Sequence, residues 1–195
     1  MLFINGHFIC PVFTLRSGTR TMYEDLRIVC YPDPRLKRVA KPVQSFDANL
    51  AALADRMFEI MREHKGVGLA APQVGVDLRL FVMNPTGEPG NDRVYVNPIL
   101  TEAEDEEEDD EGCLSIPGLN TSIWRSRKLR MTARDLQGNP IDQTESGFIP
   151  RVWQHETDHL NGTLIIDRMG PTAKLTNRRL LKELEQKYEE DKRRK

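Results

Sequence analysis

The sequence predicts a single domain that mixes helices with short strands, and three observations predict it. Apolar residues recur at spacings of three and four between Leu50 and Met61, short apolar runs at 78–83, 94–96 and 129–133 end in turn-forming residues, and no internal repeat is visible. With 195 residues, 38% apolar and 30% charged, the chain can bury one sizeable core and carries no collagen-like or disordered signature. No apolar run approaches the ~18 residues that cross a bilayer, which argues against a membrane protein.

Residues 1–24 are expected to form an N-terminal extension ahead of one domain over 25–195. The first 23 residues contain Arg16 and Arg20 but no acidic group, with hydroxyls at Thr14, Ser17, Thr19 and Thr21. That composition weakly resembles a transit peptide, although no clean apolar core precedes a small-residue cleavage site. The plainer reading is an extension, or an upstream start with Met22 as the true one; the location is then the cytoplasm, with an organelle as the alternative.

Prolines at 32, 34 and 42 fix an extended lead-in. Ser45 or Asp47 can cap the amphipathic helix that follows, 47–63, whose apolar face is Leu50, Leu53, Ala54, Met57, Phe58 and Met61. The glycines and proline of 66–75 exclude a regular helix or a central strand, so a shaped loop is expected. Strands at 78–83 and 94–96 are each followed or ended by an Asn-Pro pair, at 84 and 97.

Nine of the ten residues from Glu102 to Glu111 are acidic, and a solvated loop is expected there because like charges repel. A calcium loop would need regular alternation and a placed glycine, which are missing. Without those nine the chain holds 28 basic against 21 acidic residues, so the formal charge of −2 hides a mildly basic remainder. A strand at 129–133, a turn at 135–140 and a helix that starts near Pro150 and runs through His155 and His159 to about Asn161 follow. Gly162 closes that helix. A last helix spans 175–192; the stretch from Thr172 has nine basic and five acidic groups, a solvated face or a surface for an anionic partner.

Three cysteines without paired spacing argue against a disulfide scaffold and for a reducing compartment. Cys10 and Cys30 lie among apolar residues and read as packing positions. Cys113, in Glu111-Gly112-Cys113-Leu114-Ser115, stands apart.

His155 and His159 are four residues apart, so on a helix they face one way and can share a metal ion. Glu156 then lies beside the ion without ligating it and can draw the proton from a water on it. A third ligand decides the class. The longer zinc-protease pattern would need a histidine where Ile165 stands. Glu183, 24 residues past His159, would complete another peptidase type, but sits in a strongly charged helix. Cys113 would give a thiolate and two imidazoles with one position open, although a lone cysteine is more often a small buried hydrophobe.

Three segments in order, Gly66-Val67-Gly68-Leu69-Ala70-Ala71-Pro72-Gln73, Glu111 to Ser115, and Gln154-His155-Glu156-Thr157-Asp158-His159-Leu160, resemble the peptide deformylase family. The resemblance covers roughly 26–169, with Tyr31-Pro32-Asp33-Pro34-Arg35-Leu36 and Asn97-Pro98 included. It implies an α+β fold in which short antiparallel sheets surround a central helix carrying both histidines, plus a C-terminal helix. It implies one divalent ion on Cys113, His155 and His159, most often Fe2+ in the cell, with Zn2+ or Ni2+ also compatible.

The implied reaction removes the formyl group from the N-terminal formyl-methionine of nascent polypeptides. A hydroxide on the ion attacks the formyl carbon, Glu156 moves the proton, and Gln73 with the Leu114 N–H holds the oxyanion. Gly66 and Gly68 bring the loop backbone near the peptide, and Val67, Phe148 and Val152 line the methionine pocket. Glu111 is placed with the substrate-site residues, orienting the cysteine loop through Arg125. The dense acidic run and Phe148-Ile149-Pro150 depart from the family's usual pattern. Ribosome contact through the basic C-terminal helix is a further expectation, with no membrane and no sequence-specific nucleic acid. The rivals are a zinc peptidase using Glu183 and a non-catalytic ribosome-associated protein.

Overall fold

In the computed structural model, which describes residues 22–194, the first long helix forms where the apolar spacing predicts. The Asp47 carboxylate accepts from the backbone N–H groups of Asn49 and Leu50, and α1 (Ala48–Glu63) follows with the predicted face buried. The proline-rich lead-in holds one short 3-10 turn, Pro34–Lys37.

Five strands, β1 (Gly68–Ala70), β2 (Leu80–Met83), β3 (Arg93–Cys113), β4 (Ile116–Arg134) and β5 (Pro140–Ser146), pair in chain order in one antiparallel sheet. The histidine-bearing helix is α2 (Phe148–Leu160), packed against β1, β2, β4 and β5. The α+β class with antiparallel strands about that helix therefore holds. The strands join in a single sheet rather than several short ones, and β3 and β4 run to 21 and 19 residues.

The alternation along β2 shows how the sheet divides two cores. Leu80 and Val82 pack with α1, while Phe81 and Met83 pack with Val152, Trp153 and Leu160 of α2. Both faces of β2 are covered, which explains why its sequence is continuously apolar. A third cluster joins Cys113, Ile116 and Leu119 to Leu164, Ile165 and the leucines of the C-terminal helices.

Three expectations need correction. The glycine-rich segment is not wholly loop: Gly68–Ala70 pairs with β2 as an edge strand, and Ala71–Val74 forms a 3-10 turn. An edge strand needs hydrogen bonds on one side only, so the residues that bar a central strand do not bar it. The acidic run is not a loop but part of β3. Its carboxylates stay in water and meet cations across the hairpin, Glu102 with Arg130, Glu104 with Lys128 and Glu107 with Arg127. Cross-strand pairing thus offsets repulsion along the strand; Glu111 alone of the run's acids is buried.

The last helix is broken at Asn177 into α4 (Pro171–Thr176) and α5 (Arg178–Arg193), following the short α3 (Ile165–Arg168). Cys30 is partly buried, whereas Cys10 and the targeting reading of the N-terminus lie outside the described residues. Among the described residues no helix is long and apolar enough to cross a membrane.

Candidate metal centre

α2 carries the chemistry because its start and its period both aim it inward. Gly147 at the N-cap and Pro150 in the first turn set its entry, and Gly162, with φ of 69°, turns the chain away after Asn161. His155 and His159 fall one turn apart on the buried face, with ring centroids 5.0 Å apart. Opposite them, the β3–β4 hairpin turns through Leu114 and Ser115, so Cys113 ends β3 almost fully buried.

The ligand atoms of Cys113, His155 and His159 lie within 4.8 Å of one another, and Cys113 Sγ is 3.3 Å from His159 Nε2. Glu183 is not part of this cluster; it pairs with Arg179 on the exposed side of α5. A soft thiolate with two imidazoles is a donor set that holds Fe2+, Zn2+ or Ni2+ and leaves a position open. The buried Glu156 Oε2 has no hydrogen-bond partner among the described residues, as expected of an oxygen that waits for a water beside such an ion.

Electrostatics sorts the titratable groups. Burial raises the Glu156 pKa to about 7, with Glu111 adding to the shift and His155 and Arg125 opposing it. Burial and the neighbouring His155 and Arg125 lower that of His159. Burial also opposes charge on His155, but the Cys113 and Glu111 groups beside it prevail and raise its pKa. Ligation needs a thiolate and neutral imidazoles, so binding of an ion would release protons.

Glu111 is the anchor behind His155. Its Oε2 accepts from His155 Nδ1 at 2.9 Å, which leaves Nε2 free to ligate. Arg125 donates to both carboxylate oxygens at 2.9 and 3.0 Å, so the expected Glu111–Arg125 pair is present. Burial raises the Glu111 pKa, yet the bonds from His155 and Arg125 prevail and keep it well below the usual carboxylate range. Arg125 also reaches Asp158, which pairs with Arg168.

Gln73 is buried in the 3-10 turn after β1; its Oε1 accepts from Ala70 N at 2.8 Å while Nε2 points to Ser115 Oγ and Cys113 Sγ at 3.3 and 3.6 Å. Its amide hydrogens therefore face the thiolate side of the centre. A small cavity over the ligands is lined by Gly68, Gln73, Gly112, Cys113, Leu114, His155 and Glu156.

Val67, Phe148 and Val152, the expected pocket residues, do not line this cavity. Val152 is fully buried in the core cluster that Val67 packs against, and Phe148 is 37% exposed at the start of α2. Gly66 approaches Leu114 and Gly68 approaches Glu156, so each glycine serves a protein contact whatever it offers a peptide. Sequence reasoning missed Arg151, Asp158 and Ser115. Arg151 had a signal: four residues before His155, it shares that residue's helix face.

The model of the polypeptide deformylase family matches residues 25–175. Peptide deformylase 1B of Arabidopsis thaliana is 43% identical over 178 residues, 89% of this chain and 65% of that protein. The chain thus spans about two thirds of the length of that plant relative. The peptide deformylase of Thermotoga maritima is 44% identical over 160 residues, 81% of this chain and 95% of its own. Among solved structures, a Plasmodium falciparum peptide deformylase superposes with a TM-score of 0.82 at 39% identity, over 84% of this chain and 97% of that one. A plant peptide deformylase does so with 0.83 at 41% identity, over 91% and 96%. With the match running through all three motifs, the chain belongs to the polypeptide deformylase family.

Proposed function

We propose that this protein removes the N-formyl group from the N-terminal formyl-methionine of newly made polypeptides. The observation that carries the reading is the convergence of Cys113, His155 and His159 beside a buried Glu156 with an unsatisfied oxygen. A bound divalent ion supplies a Lewis acid that polarises the formyl oxygen and acidifies a water. Glu156 accepts that water's proton as oxygen bonds to the formyl carbon, then gives it to the amine as the C–N bond breaks, releasing formate and a free N-terminus. A pKa of about 7 suits a group that must take and return one proton near neutrality.

Gln73 Nε2 and the Leu114 N–H supply the oxyanion donors. Gly66, Gly68 and the free side of β1 receive the peptide main chain as an added strand. Val67, Val152 and Phe148 form the wall behind the methionine side chain. Glu111 acts on substrate only through the cysteine turn and His155.

Ferrous iron is the proposed native metal, which predicts activity lost in air and kept with nickel. Arg178, Arg179 and Lys182, on the outer side of α5, suit a contact with ribosomal RNA. The reading is cytoplasmic; a reporter carrying residues 1–22 separates it from organellar import. The deciding experiment is formate release from formyl-Met peptides by the metal-loaded protein, with Glu156→Ala as control. No release with metal bound overturns the reading.

A further inference from the structure

Arg151 is 5% exposed, a charge that burial would penalise heavily unless it is fully paired. Its partners all lie in the β3–β4 hairpin. Nη1 donates to Glu111 Oε1 and to the Ile123 carbonyl, both at 2.9 Å, and reaches the Asp109 carbonyl at 3.4 Å; Nη2 donates to the Glu107 carbonyl at 2.8 Å. One turn later on the same helix face, His155 Nδ1 holds the other oxygen of the same carboxylate. Glu111 is thus gripped at Oε1 by Arg151 and at Oε2 by the ligand it orients.

We propose that Arg151 is a positioning residue for the metal ligand His155, acting through Glu111. Arg125, on β4, also binds both oxygens of Glu111 and reaches Asp158 of α2, a second tie whose guanidinium is anchored on the hairpin side. Arg151 comes from α2, the element that carries His155. It ties that helix to main-chain carbonyls of both hairpin strands, and so fixes the distance between the strand bearing Cys113 and the helix bearing the two imidazoles. A fork with several donors is required: a carboxylate and carbonyls from two strands cannot all be met by one ammonium. The backbone of the acidic stretch, at Glu107 and Asp109, is thereby part of the support for the centre.

The proposal rests on the metal-centre reading, which fails separately if the parent protein binds no divalent ion. The test measures Zn2+ affinity by chelator competition on the full chain for Arg151→Met, Arg151→Lys and Arg127→Gln, an exposed residue of the same hairpin as control. Folding is checked by circular dichroism, and the His155 tautomer is read from imidazole 15N shifts. Loss of a group that supports a ligand typically weakens metal binding about 10–100-fold, and that range is expected for Arg151→Met, with KM for a formyl peptide nearly constant. Arg151→Lys should show an intermediate loss, Arg127→Gln none, and His155 should lose its single Nδ1–H form only in the Arg151 variants. A merely structural role would lower the melting temperature and leave zinc affinity unchanged in the folded protein; that result overturns the proposal. If Arg151→Met does not fold, Arg151→Lys decides: zinc affinity and tautomer like the parent's overturn it.

Discussion

Gly68 faces the carboxylate of Glu156 so closely that an added Cβ would stand 2.9 Å from Glu156 Cδ and 3.0 Å from its Cγ. The edge strand β1 is therefore a wall beside the Glu156 carboxylate, the proposed proton carrier, and hydrogen is the largest substituent it can present there. Gly68→Ala should push the carboxylate aside without touching a ligand. The expected outcome is a fall in kcat of about 10²-fold or more, the scale of a lost general base, at unchanged metal content. Formate-release kinetics with metal analysis on the same sample check it, and parent-like turnover would contradict it.

Cys113 and Glu183 separate this centre from a peptidase of the same histidine motif. A thiol ionises far more readily than a serine hydroxyl and so can become an anionic ligand where serine cannot. Cys113→Ser should lose its ion on dialysis against a chelator and lose formate release with it. Glu183→Gln removes only a partner of Arg179 on the exposed side of α5. It should keep both, as measured by atomic absorption and activity.

The sequence made α1, α2 and both histidines legible, because helical spacing and caps are local signals. It left the acidic strand illegible: nothing near Glu102 to Asp110 reveals that Lys128, Arg130 and Arg127 arrive opposite it, and without them a loop is the sounder expectation. The same limit hid Arg151 and Asp158. Arg151 meets partners 28 or more residues away, and Asp158 meets Arg125 33 residues away as well as Arg168 ten residues on. Beyond the helix spacing of Arg151 to His155, only tertiary packing shows what either residue does. Cys113 was legible through its motif, not through any pattern of its own.

Tyr31 spans two elements that frame the cysteine turn: its N–H donates to the Ser115 carbonyl at 2.8 Å and its hydroxyl to Glu185 of α5 at 2.6 Å. Burial first, then the bond to Glu185 and the charges of Glu185 and Asp167, push its pKa from 10.0 to about 12. A raised pKa means that folding favours the protonated phenol. The stabilisation is full below pH 10, the ordinary value, and disappears as pH rises through about 12. Glu185→Gln should move one tyrosine back toward its ordinary value in an absorbance titration, and should flatten the loss of stability above pH 10. A titration identical to the parent's would show that the contact does not exist in solution.

Gly162 ends α2 with φ of 69°, and an added Cβ would stand 2.8 Å from the Lys37 carbonyl carbon and 3.1 Å from the Arg38 oxygen. Left-handed backbone alone costs a residue with a side chain about 1–2 kcal/mol, and backbone at that distance cannot swing away as a side chain could. Gly162→Ala should therefore exceed the conformational cost. Each kcal/mol lowers the melting temperature by roughly 2–4 °C in a chain of this size, so a drop beyond about 4 °C is expected. Asparagine tolerates the left-handed region, which allows the two causes to be separated. At Gly87, with φ of 72° and nothing within 4 Å, asparagine should be nearly neutral. At Gly162 it should be nearly as damaging as alanine, because what forbids it there is the Lys37–Arg38 backbone. Thermal unfolding of the three variants beside the parent decides between them, and a well-tolerated Gly162→Asn would mean that the lead-in segment yields.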